Sequence, residues 1–372
     1  MGLRPACEVA QSALWFLLDF ERHESVKVSS YIDNIRFVGP REHTVAAIRI
    51  FLGRCKKVGA QLDRWPKDES EEAIVALSET KGGFLGEFYD YEKSTRCLVD
   101  KTLKKITYVH DLLDFEQPIV LTARQFSTLM GLVFWSASVL SINLSNMFHL
   151  LRAYRESASE AANTSFDGVL TTLSKTARSE LKAWFKVAME NRPVPMVAPS
   201  SEPSLCIVAD ASAAGYGAFA QVRGSAEWKV LSGMWPSHLK DKVTSSVFAE
   251  PEAIYLACLR FLRPEDKFVR IYTDHSPLVY ANRSGYAKGF HPNELLRRLH
   301  ETFPGVVFEI LHVKGVHNPA DATSRIGGSV GEDYVPTVEE KDKLAMLEAV
   351  MWEGAVKDNV PVYAYNRHSF MV

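Results

Sequence analysis

The sequence lacks any paired arrangement of cysteines. Its five cysteines are far apart and form no CxxC pair. An odd number of scattered cysteines argues against a disulfide framework and against a zinc site, and it is typical of proteins from a reducing compartment. The sequence therefore excludes the disulfide-rich secreted scaffolds. The cysteines are Cys7, Cys55, Cys97, Cys206 and Cys258.

The sequence also lacks long hydrophobic runs. No apolar stretch approaches the roughly 18 residues that a membrane-spanning helix needs. The run ALWFLL near the N-terminus follows Glu8 and Gln11, which makes it a poor signal peptide. Gly2 is followed by Ala6 where a myristoylation motif requires serine or threonine. We therefore expect no membrane attachment, and a cytoplasmic or nuclear protein that is not secreted.

The sequence also lacks an excess of positive or negative charge. Lysine and arginine number 43 against 45 acidic residues, which gives a formal net charge of −2 over 372 residues. This balance provides no overall basic signal for nucleic acid, so any such binding must depend on local patches. The length and the hydrophobic content of 47% fit an ordinary globular protein with two or more domains.

The first half of the chain has a mainly helical pattern. Apolar spacing predicts helices at the N-terminus and after a short hairpin, and Gly59 is suited to end the second helix. A set of short strands and a long helical region follow. The predicted ranges are a helix at 5–20, a hairpin at 29–38, a helix at 42–59, short strands at 82–108 and helices over 121–190.

A change of pattern occurs at residues 191–203. The stretch NRPVPMVAPSSEPS contains four prolines and is rich in serine, and such a stretch carries neither a helix nor a sheet ladder. We interpret it as a linker. Beyond it come three strands, a helix, a strand, further helices and a last strand. This order predicts an α/β domain with a five-stranded mixed sheet.

Four acids after the linker lie where strands and helix starts present them. Asp210 falls in the first strand and Asp274 ends a later one, Glu252 lies in the first turn of a helix, and Asp321 follows the last strand. A buried strand normally excludes an unpaired carboxylate, so these acids favour a shared site for Mg²⁺, which prefers oxygen ligands. Acids of this kind also cap turns and helices one at a time, and spacing alone leaves both interpretations open.

Residues 204–328 resemble the ribonuclease H domain that follows reverse transcriptase in long-terminal-repeat-type, pararetrovirus-like and tyrosine-recombinase (DIRS-like) retroelements. The segment that ends at Ser324 and Arg325 is the most specific part of the resemblance. The matching segments are, in order, DAS followed by GYGA, WKVLSGMW, EPEA, YTDHSPLVY and HVKGVHNPADATSR.

The resemblance implies a ribonuclease H activity, which is the cleavage of the RNA strand of RNA–DNA hybrids. The same four acids, Asp210, Glu252, Asp274 and Asp321, would bind two Mg²⁺ ions, with Mn²⁺ as a possible substitute. Glu250 competes with Glu252, because EPEA contains both glutamates. We favour Glu252, since the family places the ligand at the second glutamate.

The resemblance also implies further site residues. His312 occupies the position where the family has a histidine that assists proton transfer or product release. The loop is one residue shorter here than in the commoner form, so His317 is a rival. Lys288, Arg297 and Arg298 are candidates for contacts with phosphates, although an exposed basic helix face explains them too.

The region before the linker resembles the later part of a reverse transcriptase. YIDN, with Asp33 and Asn34, is similar to the YxDD hairpin, and GGFLGEFYD to the primer-grip hairpin. The helical region that follows is similar to a thumb and connection. We therefore assign a truncated palm, a thumb and connection, a ribonuclease H-like domain and a C-terminal tail, at 1–110, 111–190, 204–328 and 329–372.

Two departures from the family argue against polymerisation by this chain alone. The strand that carries the first polymerase aspartate would lie upstream of Met1, and Asn34 stands where the family has a second hairpin acid. Two alternatives to a ribonuclease H stay open. One is a decayed or domesticated remnant that binds nucleic acid or protein, and the other is a polymerase that works only with an upstream fingers and palm segment.

Overall fold

A computed structural model of the chain forms two compact units, residues 1–93 and residues 94–372, each with its own core. No helix within its described residues is both long and apolar enough to cross a bilayer. Asp33 of the hairpin lies outside the described residues. The described residues are 6–32, 34–62, 66, 68–76, 79–196, 202–326, 328–330 and 334–352.

The first unit is a hairpin with helices packed on it. Its core contains Leu14 and Leu18 of the first helix and Phe51 and Cys55 of the second. The second helix ends at Gly59, whose left-handed φ of 71° suits glycine. The elements are α1 (Ala6–Leu18), β1 (Lys27–Tyr31), β2 (Asn34–Val38), α2 (Arg41–Val58), α3 (Glu71–Val75), β3 (Lys81–Phe84) and β4 (Glu87–Asp90), with β1 antiparallel to β2 and β3 antiparallel to β4.

The second unit begins with a helical part around a core of its own. Phe126, Met130, Leu181 and Phe185 are among the side chains that its helices bury. Thr122 and Gln125 form a capping box that starts the second of these helices. The elements are β5 (Thr95–Leu98), α4 (Asp100–Leu112), β6 (Val120–Thr122), α5 (Ala123–Leu140), α6 (Phe148–Asn163), β7 (Leu170–Thr172), α7 (Lys175–Glu190) and β8 (Val194–Pro195).

The helical part differs from expectation in two places. The strands predicted over 82–108 are present only up to Leu98, and α4 follows because Ile106 lies in a helical apolar stripe that is buried against the helical core. Within the expected linker, β8 pairs antiparallel with Thr95 and Arg96 of β5. A proline is tolerated in such a short pairing at a sheet edge.

The rest of the second unit contains the expected five-stranded mixed sheet. The strand order is β11-β10-β9-β12-β13, with β9 antiparallel to β10 and parallel to β12. The first strand of the sheet is thus also its centre, and its run of buried residues agrees with cover on both faces. The elements are β9 (Leu205–Ala211), β10 (Gly215–Val222), β11 (Trp228–Met234), α8 (Ser246–Phe261), β12 (Phe268–Thr273), α9 (Ser276–Ser284), α10 (Phe290–Thr302), β13 (Val307–His312), α11 (Ala320–Ser324) and α12 (Val338–Met351).

The last helix covers one face of this sheet. Leu344, Leu347 and Met351 of α12 pack on Val208 and Phe219 of the central strands. The predicted C-terminal tail therefore contributes a helix to the core. This packing extends the apolar core beyond the range in which the motifs lie.

A buried arginine connects α12 to the sheet. Arg270 of β12 is 1% exposed, and its Nε donates to Glu309 of the neighbouring strand at 2.6 Å. Its Nη1 donates to the carbonyl oxygen of Met351 at 2.6 Å, at the end of α12. A cation at the C-terminal end of a helix binds carbonyls that lack a partner within the helix. Arg270 thereby holds the end of α12 against the sheet.

Candidate metal centre

Three acids converge at one edge of the five-stranded sheet. Asp210 lies near the end of β9, Asp274 follows the last residue of β12, and Glu250 lies in the first half of α8. Because β9 and β12 are parallel neighbours, their carboxyl ends meet at the same edge. One carboxylate oxygen from each of the three residues lies within 4.8 Å of the other two. The three acids, here called the acid cluster, can hold a metal ion.

Asp210 is the central and most constrained member of the acid cluster. It is 4% exposed, and Asn318 Nδ2 and Ser324 Oγ donate to its two oxygens at 3.2 and 2.8 Å. Burial, together with the charges of Asp274 and Asp321, raises the pKa of Asp210 to about 6 against the opposing effect of the Ser324 hydrogen bond. The carboxylate is thus fixed in orientation and short of positive charge.

Glu250 is buried with one oxygen unsatisfied. It is 6% exposed, and its Oε1 accepts from the backbone N–H of Ala211 at 3.3 Å. Its Oε2 is buried and has no hydrogen-bond partner among the described residues. Burial, together with the charges of Asp210 and Asp274, raises the pKa of Glu250 to about 9. A buried carboxylate oxygen without a donor is costly, and a divalent cation supplies the partner it lacks.

The donor set of the acid cluster fits a hard divalent cation. Three carboxylates this close repel one another unless protons or a cation neutralise them. The set contains only oxygen donors, with neither cysteine nor histidine in it, which favours Mg²⁺ or Mn²⁺ over zinc.

The structure separates Glu252 from the acid cluster. Both oxygens of Glu252 accept from Arg298, the shorter contact being 2.5 Å. Two residues correspond to about 200° of helix rotation, so Glu250 and Glu252 lie on nearly opposite sides of α8. The preference for Glu252 is therefore corrected on geometric grounds, and Glu250 takes its place beside Asp210.

Asp321 lies near the acid cluster but outside it. It belongs to α11, and its charge contributes to the raised pKa values of Asp210 and Glu250. Its own Oδ1 accepts from Arg325 Nη2 at 2.6 Å, one helical turn further along. Of the four predicted acids, two are in the acid cluster, Asp321 is adjacent to it, and Glu252 points elsewhere.

Both histidine candidates are exposed and belong to the segment that passes Asp274 of the acid cluster. His312 is the last residue of β13 and pairs in register with Thr273, the residue before Asp274. His317 ends a short 3₁₀ helix at Gly315–His317. A Cβ atom placed on Gly315 would lie 2.9 Å from Asp274 Oδ2, so the loop between the two histidines passes directly over that carboxylate.

The three basic residues predicted to contact phosphates differ in their side-chain partners. Arg298 is paired with Glu252 and lies over the Tyr255 ring, with its guanidinium carbon 3.6 Å from the ring centroid. Arg297 donates to Glu294 and Glu301 on its own helix. Lys288 is exposed. The two arginines thus have internal partners, and Lys288 is the more accessible candidate for phosphate.

The hairpin that contains YIDN is described on both sides of Asp33. Asn34 begins β2 and pairs with Tyr31 of β1. Ile32, next to the turn, has an unusual positive φ of 54°, which strains a β-branched residue. Because Asp33 lies outside the described residues, its role stays a prediction.

Asn318 and Ser324 were not predicted as site residues. Both belong to the segment NPADATSR, which marked the end of the domain in sequence, but no role followed from their type. The only sequence signal for a role of these two residues was their place in a motif that resembles the ribonuclease H family. Only packing of α11 against β9 and β10 places their side chains on Asp210.

Gly217 permits this packing. It lies opposite Asp210 in the β9–β10 ladder. A Cβ atom there would lie 2.5 Å from the backbone nitrogen of Ser324 and 2.8 Å from the carbonyl carbon of Thr323. The backbone of α11 therefore rests directly on β10, and any side chain at 217 would push it away from Asp210.

Replacing Gly217 with alanine is expected to destabilise the protein by about 1 to 3 kcal/mol, because the backbone must shift to admit a methyl group. Differential scanning calorimetry measures the change in Tm. Gly131→Ala in α5 is the matched control, since nothing lies within 4 Å of its added Cβ, and it should leave Tm unchanged or slightly raised. Equal Tm values for Gly217→Ala and wild type would contradict the packing argument.

Comparisons with known proteins find no matching family model and no matching curated protein. Solved structures of the foamy viral protease–reverse transcriptase are similar to the chain. Two are complexes with double-stranded DNA, at 11% and 12% identity and a TM-score of 0.31 each, covering 82% and 85% of this chain and 49% and 60% of the viral chains. A third, with an RNA/DNA hybrid, has 13% identity and a TM-score of 0.27, covering 88% of this chain and 39% of that one. The chain thus spans less than two thirds of these proteins. A likeness at such TM-scores supports no conclusion about the activity of the chain.

Proposed function

We propose that the chain is a ribonuclease H-type endonuclease that cleaves the RNA strand of RNA–DNA hybrids with divalent metal ions. The observation that supports this most is the acid cluster, in which Asp210, Glu250 and Asp274 bring carboxylate oxygens within 4.8 Å of one another. It forms at the edge of a five-stranded mixed sheet, in the segment whose motifs resemble that domain. Asp321 would complete the ligand set through a modest change of its contact with Arg325.

The residues of the chain have distinct tasks in this proposal. Metal ions, when bound, lower the pKa of an attacking water and stabilise the leaving 3′ oxygen of a phosphodiester. Asn318 and Ser324 hold Asp210 in one orientation, and Ala211 does the same for one oxygen of Glu250. Burial raises the pKa values of Asp210 and Glu250, so metal binding must release protons from them. Activity should therefore increase as the pH rises.

His312 and His317 are the proposed proton carriers. Both are exposed and flank the loop over Asp274, where a side chain can exchange protons with solvent. RNA would be distinguished from DNA through its 2′-hydroxyl groups.

Incubation of the purified chain with a hybrid labelled on its RNA strand tests the proposal. With Mg²⁺ or Mn²⁺ we expect internal cuts in the RNA strand, an intact DNA strand and intact single-stranded RNA, and no cleavage in EDTA. An intact hybrid under conditions where a control ribonuclease H cuts it would contradict the proposal.

A further inference from the structure

An exposed aromatic ring lies at the start of α10 and is supported by two neighbouring rings. Phe290, the first residue of α10, is 49% exposed. Its ring makes edge contacts with Phe148, at 5.5 Å between centroids, and with His291 at 5.4 Å. Phe148 itself is 9% exposed and belongs to the helical part of the unit. Such support fixes the ring while leaving much of its surface free.

A charged groove begins at the same place. It has a volume of about 590 Å³ and is lined by Phe148, by Lys288 and by residues of α6. Arg152 in the groove is paired with Glu156 at 2.9 Å. Arg155 and Lys288 form no ion pair within the described part of the chain. The other lining residues are Ser159, Glu160 and Asn163.

The groove and the acid cluster lie at the same end of the sheet domain. Helices α8 and α10 run parallel, since Phe248 contacts His291 at 5.1 Å between centroids and Tyr255 hydrogen-bonds Thr302 further along. Phe248 precedes Glu250 by two residues on α8. The Phe290 ring is within about 11 Å of the Phe248 ring. Glu250, Phe248 and Phe290 therefore all lie near the N-terminal ends of the parallel helices α8 and α10.

We propose that Phe290 is a stacking platform for a nucleic-acid strand that leaves the acid cluster and enters this groove, with Lys288 and Arg155 against its phosphates. A flat exposed ring stacks on bases or sugars without sequence preference, and free cations beside it complement the backbone charge. The assignment of the strand to a cleaved hybrid rests on the function proposed above. The binding itself does not, and can be measured separately.

The test uses equilibrium binding of a fluorescent RNA–DNA hybrid to the full chain in EDTA, where no cleavage occurs. Phe290→Leu keeps an apolar side chain but removes the ring, and we expect its Kd to rise about fivefold or more. Tyr108→Leu is the matched control, because Tyr108 is a 65% exposed ring on α4, a helix that contributes no residue to the groove. Its Kd should equal that of wild type.

Lys288→Ala supplies an independent readout. In a plot of log Kd against log salt concentration, the slope should be smaller by about one unit, because one phosphate contact is removed. Unchanged Kd and slope in both variants, or a wild-type chain that binds no hybrid, would overturn the inference and assign the ring to another partner, such as a protein. A wild type that binds but never cleaves, with weaker binding by Phe290→Leu, supports the platform while removing the nuclease proposal.

Discussion

Replacing Asp210 with asparagine is expected to lower the rate of hybrid cleavage by about a thousandfold or more while the protein stays folded. Both oxygens of Asp210 accept hydrogen bonds, one from Asn318 and one from Ser324. Asparagine keeps the shape, since its amide oxygen can accept from Asn318 and its amide nitrogen can donate to the Ser324 hydroxyl oxygen, but it removes the charge that a divalent cation requires. Single-turnover cleavage with Mg²⁺ measures the loss.

Two controls accompany this prediction. Asp342→Asn changes an exposed acid on α12 and should cleave at the wild-type rate. Ser324→Ala removes the hydroxyl that orients Asp210 and that also contacts the carbonyl oxygen of Asp321, and we expect an intermediate loss of about 10- to 100-fold. Cleavage by Asp210→Asn at the wild-type rate would show that any nuclease activity of the preparation has another source.

The second large effect separates the two glutamates of α8. Glu250→Gln is expected to lose about a hundredfold or more in rate, because Glu250 belongs to the acid cluster. Glu252→Gln should keep a rate close to that of wild type. It removes the Glu252 charge beside Arg298, although the glutamine oxygen can still accept from the guanidinium, so it should cost about 1 to 3 kcal/mol of stability. The reverse ranking of the two rates would return the ligand to Glu252.

Glu250→Gln should also make the metal-free protein more stable at pH 8. Burial first, and the nearby carboxylates second, raise the pKa of Glu250 in the folded state to about 9. A carboxyl with a raised pKa favours the folded state fully below its unfolded pKa of about 4.3, and this contribution disappears as the pH rises towards 9. Wild type in EDTA should therefore lose stability from about pH 5 to pH 9.

Glutamine has no charge to desolvate, so the variant should lose less stability over this range. Thermal unfolding in EDTA at pH 5 and pH 8 measures the difference, which should amount to several degrees at pH 8. A variant that is inactive and yet more stable than wild type at pH 8 cannot owe its inactivity to unfolding. A Tm below that of wild type at pH 8 would contradict the burial of an uncompensated charge.

Local sequence patterns were sufficient to predict helices and strands whose conformation depends mainly on their own residues. The apolar run of β9, the amphipathic spacing of α2 and its terminal Gly59 were sufficient to predict those elements. The strand prediction over 82–108 was wrong beyond Leu98, because short apolar segments fit strands and helices equally until tertiary packing selects one. Ile106 is buried against helices that come later in the chain.

For the acid cluster, too, the sequence predicted some of the residues and the tertiary structure was needed for the others. The order of motifs along the chain was enough to single out Asp210 and Asp274, because strand ends at a sheet edge are readable in sequence. The choice between Glu250 and Glu252 was not readable, since it depends on the rotation of α8 about its axis. That rotation is set by which side chains of α8 pack against β9 and which face α10.

The sequence by itself determined the five-stranded mixed sheet and the position of two acids on it. Only the tertiary structure decided that Glu250 joins them, that Asn318 and Ser324 orient Asp210, and that α12 closes the core. The physical reason is the range of each effect. Periodicity and capping act over a few neighbouring residues, whereas close packing at Gly217 joins segments that lie about a hundred residues apart.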